Sequence, residues 1–312
     1  MPSTMATGVT DVDAFRAAIR PAGREFLVTG RGRFLASVTK IDLPRLWTQS
    51  LRETLPRTWH VETRRVGVLF LTVAGSAATC RGVDVAADTI GLVHPGRATW
   101  YSLPGPTQTA SMSLPEHEFA EIGAAITGQD FRFLSNAVTV AASPERLTRL
   151  RRLHAAATRV AETVPELIEN PEVARGLEAS LTEAMFACLA EGQTRTDTAS
   201  LRQRRRIMKR FHALVEENPD QALYLSEICT AIGVAQRTLY NCCMEQLGVS
   251  PKRYLLLRRL HLARQALRLA PEAAKVTDIA TQYGFWELGR FAVYYRSVFG
   301  EPPSKTLGSA YR

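Results

Sequence analysis

The sequence predicts an α+β protein with a β-rich N-terminal domain followed by an all-α C-terminal domain. Short segments rich in β-branched and aromatic residues fill much of the range 34–114. A helix-turn-helix pattern occurs twice after residue 200. Residues 201–312 carry 18 Lys and Arg against 9 Asp and Glu, whereas residues 1–200 carry 21 of each, so the formal net charge of +9 lies entirely in the last third. A basic domain behind a neutral one predicts that the C-terminal part contacts a polyanion.

Short predicted strands, separated by turns rich in Gly and Pro, account for the β-rich part. They lie at 60–63, 67–73, 89–93 and 99–103. The segment His94-Pro95-Gly96 is a turn between the last two. Closely spaced short strands favour a sandwich or a small barrel over a βαβ sheet.

Two helices are predicted between this region and the basic domain. Apolar residues recur every three or four positions in 144–160 and again in 171–189, and each segment begins after a Ser-Pro or Asn-Pro step. These helices could pack on the N-terminal domain, pair between subunits, or both. The small polar residues that follow predict an N-terminal domain at 1–190, a linker at 191–203 and a C-terminal domain at 204–312.

The first helix-turn-helix unit is centred on Gly233, where a tight turn needs a residue without Cβ. A short helical pattern covers 225–232, and a second helix is predicted over 235–243. Cys229 lies four residues before the glycine and Leu239 six after it, which is the spacing of small and apolar residues that two closely crossing helices require.

The second unit repeats this pattern around Gly284. Ala280 precedes the glycine by four residues and Phe291 follows in the next helix. Between the units, Ser250 is a predicted N-cap and Pro251 a predicted first helical residue of a helix reaching Leu269. At 1.5 Å per residue this helix is about 30 Å long, close to the roughly 34 Å of one DNA turn. It can serve as a spacer between two DNA-reading helices, as a core helix, or as both.

The phrases in 206–307 resemble the AraC/XylS family of transcriptional regulators. They are Gly248 to Tyr254, Arg258 to Arg264, Ile279-Ala280 with Gly284-Phe285, and Tyr295 to Gly300. The resemblance covers a third of the chain. It implies a sequence-specific DNA-binding regulator, commonly with a cupin-like N-terminal domain that senses a small effector and dimerises.

Several positions depart from the family pattern. Cys243 stands where Phe is usual, Asn241 where Arg is common and Val293 where a basic residue is common. Gly289 lies inside the second DNA-reading helix, and Pro302 replaces a frequent Ser or Thr cap. The departures in the second unit favour phosphate contacts there over base reading.

Side chains outside the core faces of the two DNA-reading helices are the predicted base contacts. Arg237 can pair with guanine, and Gln236 or Asn241 with adenine. The DNA-binding candidates are Gln236, Arg237, Tyr240, Asn241, Trp286, Glu287 and Arg290. Predicted phosphate contacts are Lys252, Arg253 and Arg296, whereas Arg258 and Arg264 are as compatible with internal salt bridges.

The N-terminal resemblance rests on Ile90 to Gly96 followed by Trp100-Tyr101, a phrase similar to one edge of a cupin barrel. A small barrel can hold a ligand in its mouth. The candidate effector-binding residues are Trp59, His60, Arg64, His94, Trp100 and Tyr101, although each is equally a candidate for core or surface packing.

The remaining features predict few other activities. The five cysteines have no CxxC spacing and the six histidines no HxH or HExxH pattern, so we expect reduced thiols in a cytoplasmic protein, no metal and no cofactor. No catalytic constellation, nucleotide-binding loop, secretory signal or transmembrane run is evident. The expected partners are double-stranded DNA, a small-molecule effector, RNA polymerase and a second copy in a homodimer, without a membrane. Two alternatives stay open: a constitutive or architectural DNA-binding protein whose N-terminal domain only dimerises, and a cupin enzyme with a DNA-binding tail.

Overall fold

Antiparallel strands build the N-terminal half of the protein. The computed structural model describes residues 2–20, 25–73, 75–196, 198–218, 223–271 and 273–309. Within them, the strands are β1 (Ser3–Val9), β2 (Glu25–Val28), β3 (Ala36–Asp42), β4 (Trp47–Glu53), β5 (Arg57–Val61), β6 (Arg65–Leu71), β7 (Ala78–Cys80), β8 (Val83–Val85), β9 (Thr89–Val93), β10 (Thr99–Leu103), β11 (Thr107–Pro115), β12 (Ala137–Ala141) and β13 (Gln193–Thr196). The β-rich range predicted from the sequence is confirmed.

Two sheets face each other across an apolar interior. The large sheet has the order β1-β3-β4-β11-β6-β9-β12-β13, and the small sheet the order β2-β5-β10-β7-β8. Inward residues such as Leu51, Leu69 and Val61 pack between the sheets. Side chains alternate between the two faces of a strand, so each sheet also offers an outer face that must be covered.

Helices cover the outer face of the large sheet. The N-terminal helices are α1 (Val12–Ala18), α2 (Glu116–Thr127), α3 (Pro144–Thr163), α4 (Glu166–Glu169) and α5 (Pro171–Ala190), with a 3₁₀ turn at Phe131–Asn136. Both helices predicted ahead of the linker are therefore present. They pack against each other and against the sheet in one core that includes Phe70, Met112, Leu150 and Phe186. Because this face is filled by α3 and α5, both helices belong to the N-terminal domain.

The C-terminal part is helical, as predicted. Its helices are α6 (Ala199–Glu217), α7 (Leu225–Ile232), α8 (Gln236–Leu247), α9 (Pro251–Leu269), α10 (Val276–Gln282), α11 (Leu288–Phe299) and α12 (Pro303–Ser309). The Ser250 hydroxyl accepts a hydrogen bond from the Arg253 amide, so the predicted cap of α9 is present. Leu260, Ala263 and Leu267 of the predicted apolar stripe are buried, whereas Leu256 is half-buried.

Regular structure occupies most of the range assigned to the linker. β13 pairs with β12 at the edge of the large sheet, and α6 begins at Ala199. Polar residues such as Gln193 and Thr194 are compatible with an edge strand, because such a strand is exposed on one side. The domain division itself, at 190 and 204, stays a prediction.

The outer face of the small sheet packs on the C-terminal helices. Leu27 of β2 and Trp100 of β10 lie in the same core as Phe211 of α6 and Tyr254 of α9. Their strand neighbours Phe26 and Tyr101 point the other way, into the core between the sheets. The small sheet thus separates the barrel interior from the C-terminal domain by a single layer of strands.

Candidate nucleic-acid interface and effector cavity

The first helix-turn-helix unit consists of α7, the Gly233 turn and α8. Gly233 has a φ of 66°, a left-handed conformation that favours glycine. Leu239, Cys242 and Cys243 bury one side of α8. A cysteine fits the Cys243 position because its sulfur packs against Met208 of α6.

The predicted base contacts of this unit all lie on the opposite side of α8. Gln236, Arg237, Tyr240 and Asn241 are exposed, and none lies in the buried face of the helix. The Arg237 guanidinium lies 6.0 Å from the centre of the Tyr240 ring. This face combines one cation, two amides and a phenol, a set that can donate to and accept from base edges in a major groove.

The second unit consists of α10, the Gly284 turn and α11. Gly284 has a φ of 75°, and Phe291, Tyr295 and Val298 bury one side of α11. Trp286, Glu287 and Arg290 are exposed, as the sequence predicts. Arg290 is paired with Glu287, with 3.0 Å between Nε and Oε2, so its guanidinium is already hydrogen-bonded within the helix start.

Some basic residues of α9 and α11 are exposed, whereas others form hydrogen bonds with other parts of the protein. Lys252 and Arg296 are exposed. Arg253 is half-buried and donates to the Thr29 carbonyl of the N-terminal domain at 3.5 Å. Arg259 donates to the Gly284 carbonyl and lies over the Phe285 ring, which braces the second turn against α9.

Arg258 and Arg264 form salt bridges to the N-terminal domain. Arg258 Nε lies 3.1 Å from Glu25 Oε1, and the same carboxylate accepts from the Tyr254 hydroxyl. Arg264 Nη2 lies 2.7 Å from Asp11 Oδ2. The internal alternative considered for these two arginines is therefore the arrangement that the structure contains.

Strand pairing separates the predicted effector residues into two sets. In the register of β5 and β10, Trp59 lies opposite Tyr101 and His60 opposite Trp100. Trp59 and Tyr101 face the barrel interior, where their ring centres are 6.1 Å apart. His60 and Trp100 point to the other side of the sheet, because adjacent residues of a strand alternate between its faces.

His60 and Trp100 belong to a ring stack between the domains. The His60 ring lies on Trp100 at 4.4 Å, and Trp100 lies on the His212 ring of α6 at 4.0 Å. Burial lowers the pKa of His212 well below its ordinary value, helped by nearby His60 and Arg258. His212 therefore packs as a neutral ring, with Nδ1 2.9 Å from the Tyr254 hydroxyl.

The remaining two effector candidates lie outside the barrel cavity. His94 is buried, and its Nε2 lies 2.8 Å from the Ala137 carbonyl in a separate cleft beside α2. Burial lowers the pKa of His94 to about 4. Arg64 is exposed between β5 and β6.

A partly open cavity lies between the sheets. Its walls are mostly apolar, and one end carries three cationic side chains and one carboxylate. The lining includes Arg20, Lys40, Asp42, Trp47, Trp59, Arg65 and Tyr101. Arg20 is ion-paired with Asp42, and the Arg20 and Arg65 guanidinium groups lie 5.0 and 4.0 Å from the centre of the Trp47 ring.

Lys40 lies among other charged side chains at this end of the cavity. Burial lowers the pKa of Lys40, and the neighbouring Arg20 lowers it further, while Asp42 acts in the opposite direction. An added anion here would relieve the repulsion between these cations. Lys40, Asp42 and Trp47 were not among the effector-binding residues predicted from the sequence. Their alternation along β3 and β4 marks a common face, but only the pairing of the two strands shows that this face is the inner one.

The described residues were also searched for metal sites and for membrane-spanning helices. No group of three or more His, Cys, Asp or Glu there is arranged to hold a metal ion. The same ranges contain no helix with both the length and the apolar character needed to cross a membrane. All five cysteines are free and buried.

Comparison with known proteins places the similarity in the C-terminal domain. A family model described as a helix-turn-helix domain matches residues 228–309. The XylDLEGF operon transcriptional activator of Pseudomonas putida is 38% identical over 100 residues, which are 32% of this chain and 31% of that protein. The HTH-type transcriptional regulator GbdR of Pseudomonas aeruginosa is 34% identical over 91 residues, 29% of this chain and 24% of that protein. The matched segment is thus about a third or less of the length of these relatives.

Among solved structures, the AraC-like transcriptional activator CuxR is 15% identical, covers 89% of this chain and 100% of its own, and has a TM-score of 0.46. The two units joined by α9 form a tandem helix-turn-helix domain. In the matched segment, this C-terminal domain is similar to a helix-turn-helix domain and to parts of the named transcription regulators.

Proposed function

We propose that this protein is a sequence-specific DNA-binding transcription regulator whose activity is controlled by a small organic anion bound in the barrel cavity. The tandem helix-turn-helix domain is the observation that carries the first part. Both units present their second helix to solvent, and the basic charge of the chain lies in the same domain. Helices exposed in this way fit the major groove of DNA.

The base contacts of the first unit can be tested with Arg237. Arg237→Ala should weaken binding to the cognate site by about 1–3 kcal/mol and relax the preference at one base pair, because a bidentate contact to guanine is lost. Lys252→Ala is the matched phosphate variant. It should weaken binding to all sequences alike and reduce the slope of log affinity against log salt by about one. The measurement is selection from a random DNA library by purified full-length protein at several salt concentrations, followed by affinity titration.

An Arg237→Ala protein that recovers the wild-type motif would contradict base reading by this residue. A wild-type protein that recovers no motif at any salt concentration would contradict sequence-specific binding as a whole and would support the architectural alternative.

The chemistry of the barrel cavity supports the second part of the proposal. Trp59 and Tyr101 provide flat apolar walls, and Lys40 lies among cations that outnumber the one carboxylate. This arrangement favours a ligand with an aromatic or aliphatic body and one carboxylate group.

Strands β5 and β10 connect this cavity with the C-terminal domain. One face of the pair carries Trp59 and Tyr101 into the cavity, and the other carries His60 and Trp100 into the ring stack with His212. A ligand that shifts these strands therefore changes the surface on which α6 and α8 pack. Such a ligand would alter DNA affinity by its preference for one arrangement of the domains over the other.

The anion site can be tested with Lys40→Gln. The measurement compares aromatic and aliphatic carboxylates with the corresponding neutral amides. The carboxylates should raise the melting temperature of the wild-type protein, whereas the amides should not. Lys40→Gln should reduce the carboxylate affinity about tenfold or more, because a charged hydrogen bond is lost. Arg52→Gln is the control, since Arg52 is exposed on the neighbouring strand β4. Equal stabilisation by acids and amides, or an unchanged affinity in Lys40→Gln, would contradict the anion site.

A further inference from the structure

The two helix-turn-helix units can be superposed in sequence by their buried residues. Gly248 caps the C-terminus of α8 and Gly300 that of α11, and both glycines adopt a left-handed conformation. The buried residues Leu239 and Cys243 correspond to Phe291 and Tyr295, at the same offset of 52 residues. This register assigns each outward position of the first helix to one position of the second.

The outward positions have different chemistry in the two helices. Arg237 corresponds to Gly289, and Asn241 corresponds to Val293. Four residues apart, each pair lies on one stripe of its helix, on the side away from the buried face. Arg290, the strongest polar candidate of the second unit, corresponds to Thr238 and is paired with Glu287. The centre of the second DNA-reading surface therefore lacks a hydrogen-bonding side chain where the first has two.

An exposed apolar surface takes their place. Val293 is 67% exposed and Trp286 is 76% exposed, and neither contributes to the core of the domain. In a major groove, thymine is distinguished by its 5-methyl group, which apolar side chains contact. A valine at the position that corresponds to Asn241 can make this apolar contact, but it cannot form a hydrogen bond with a base edge.

Gly289 has no explanation within the fold. Its conformation is not left-handed, and a Cβ built on it would meet no atom of the described structure within 4 Å. Glycine is also among the least favourable residues in a helix. Its absence of a side chain does allow the backbone of α11 to approach another molecule closely.

From these observations we infer that the second unit reads thymine, with Val293 contacting a 5-methyl group and Gly289 allowing α11 to lie deep in the groove. The inference rests on the proposed DNA-binding function and assigns base reading to a helix whose sequence favours phosphate contacts alone. Trp286 lies at the start of the same surface and extends the apolar contact.

The first experiment uses the full-length protein and the DNA site recovered by selection. Each thymine of the half-site bound by the second unit is replaced in turn by deoxyuridine, which removes the methyl group and keeps base pairing. Wild-type affinity should fall about fourfold at one or two positions, the effect of removing one buried methyl contact. Val293→Ala should bind the thymine site with a similarly reduced affinity and should lose its sensitivity to deoxyuridine.

Asn241→Ala is the matched control at the equivalent position of α8. It should weaken binding but retain the full deoxyuridine effect in the second half-site. Gly289→Ala provides an independent measurement. Because the added methyl group meets open space and limits the unfolded chain, this variant should melt at a higher temperature, yet it should bind the cognate site more weakly.

The inference is overturned if no deoxyuridine substitution in the second half-site changes the wild-type affinity, or if that half-site contains no A·T pair. A Gly289→Ala protein with wild-type affinity overturns the role of the glycine. If Val293 and Trp286 serve a protein partner instead, DNA affinity will not respond to Val293→Ala. Absence of any sequence-specific binding would have a different meaning, because it would refute the proposed function and this inference with it.

Discussion

Lowering the pH from 7 to 5 should reduce the free energy of unfolding by roughly 5–6 kcal/mol, because buried histidines are neutral in the folded protein. Burial lowers the pKa of His94 and His154 to about 4 and that of His261 to about 3, and lowers that of His212 well below its ordinary value. The unfolded chain binds protons at these residues below pH 6.5, whereas the folded protein does so only at a lower pH, near 4 for His94 and His154.

The sign follows from this difference in proton binding. As the pH falls below 6.5, the unfolded state binds protons that the folded state does not bind. His94, His154 and His261 therefore each cost about 2 kcal/mol of stability at pH 5. Glu25 acts in the opposite direction, since burial raises its pKa despite its bonds to Tyr254 and Arg258, but it is one group against four. The total is comparable with the stability of an ordinary domain.

Urea unfolding at pH 7, 6 and 5 measures this dependence. His154→Leu should reduce the slope of the free energy of unfolding against pH by an amount that corresponds to at most one bound proton. The reason is that His154 is buried beneath the large sheet and packs edge-on against Phe70. His117→Asn is the control, since His117 is exposed on α2. A wild-type stability that is flat between pH 7 and 5 would show that these histidines titrate normally.

The second large effect concerns Asp11, which connects the two domains. Its carboxylate receives hydrogen bonds from Arg264 and Arg268 of α9 and from the Ala14 amide at the start of α1. Arg264 is only 5% exposed, and its other carboxylate contacts, to Glu301 and Asp13, are 3.7 and 3.9 Å away. Burial tends to raise the pKa of Asp11, but the amide and the two arginines outweigh it and the pKa is lowered.

Asp11→Ala should therefore destabilise the protein by about 3 kcal/mol or more, because a buried cation loses its nearest partner and a helix loses its cap. Asp11→Asn is the matched variant, since its amide oxygen can still cap α1 while the charge is absent. Its loss of stability should be smaller but clear. Both should also be cleaved faster by protease in the range 191–198, if the pair holds the domains together.

Urea unfolding and limited proteolysis of the full-length variants test this prediction. Wild-type stability in both variants would show that the interdomain pair contributes nothing. A loss of stability in Asp11→Ala with no loss in Asp11→Asn would assign the whole effect to the helix cap. It would also show that the charge of Asp11 does not stabilise the domain interface.

Local signals in the sequence were sufficient for the helical domain. Gly233 and Gly284 mark turns, Ser250 caps α9, and Leu239 and Phe291 fix the buried faces of α8 and α11. Each of these features depends on neighbours within a few residues. The exposed positions of Arg237 and Asn241 follow from the same periodicity, so this part of the candidate interface was predictable.

The effector cavity required information that no single segment contains. Trp59 and His60 are neighbours in sequence, and so are Trp100 and Tyr101, and all four looked equivalent as candidates. Strand alternation separates the members of each pair, but which member faces the cavity depends on what covers the other side of the sheet. The C-terminal domain covers it, through contacts as distant in sequence as Glu25 with Arg258.

The sequence by itself determined the helix-turn-helix repeat, the charge division and the β-rich character of the first half, because these arise from residue types and short-range spacing. Only the tertiary structure decided that Lys40 and Trp47 line a cavity and that Trp100 belongs to the domain interface. It also decided that Arg264 forms an ion pair with Asp11 and is not a free DNA-contacting cation. Those roles depend on contacts between elements that are far apart in the sequence, because these contacts determine which side chains are buried and which charges are paired.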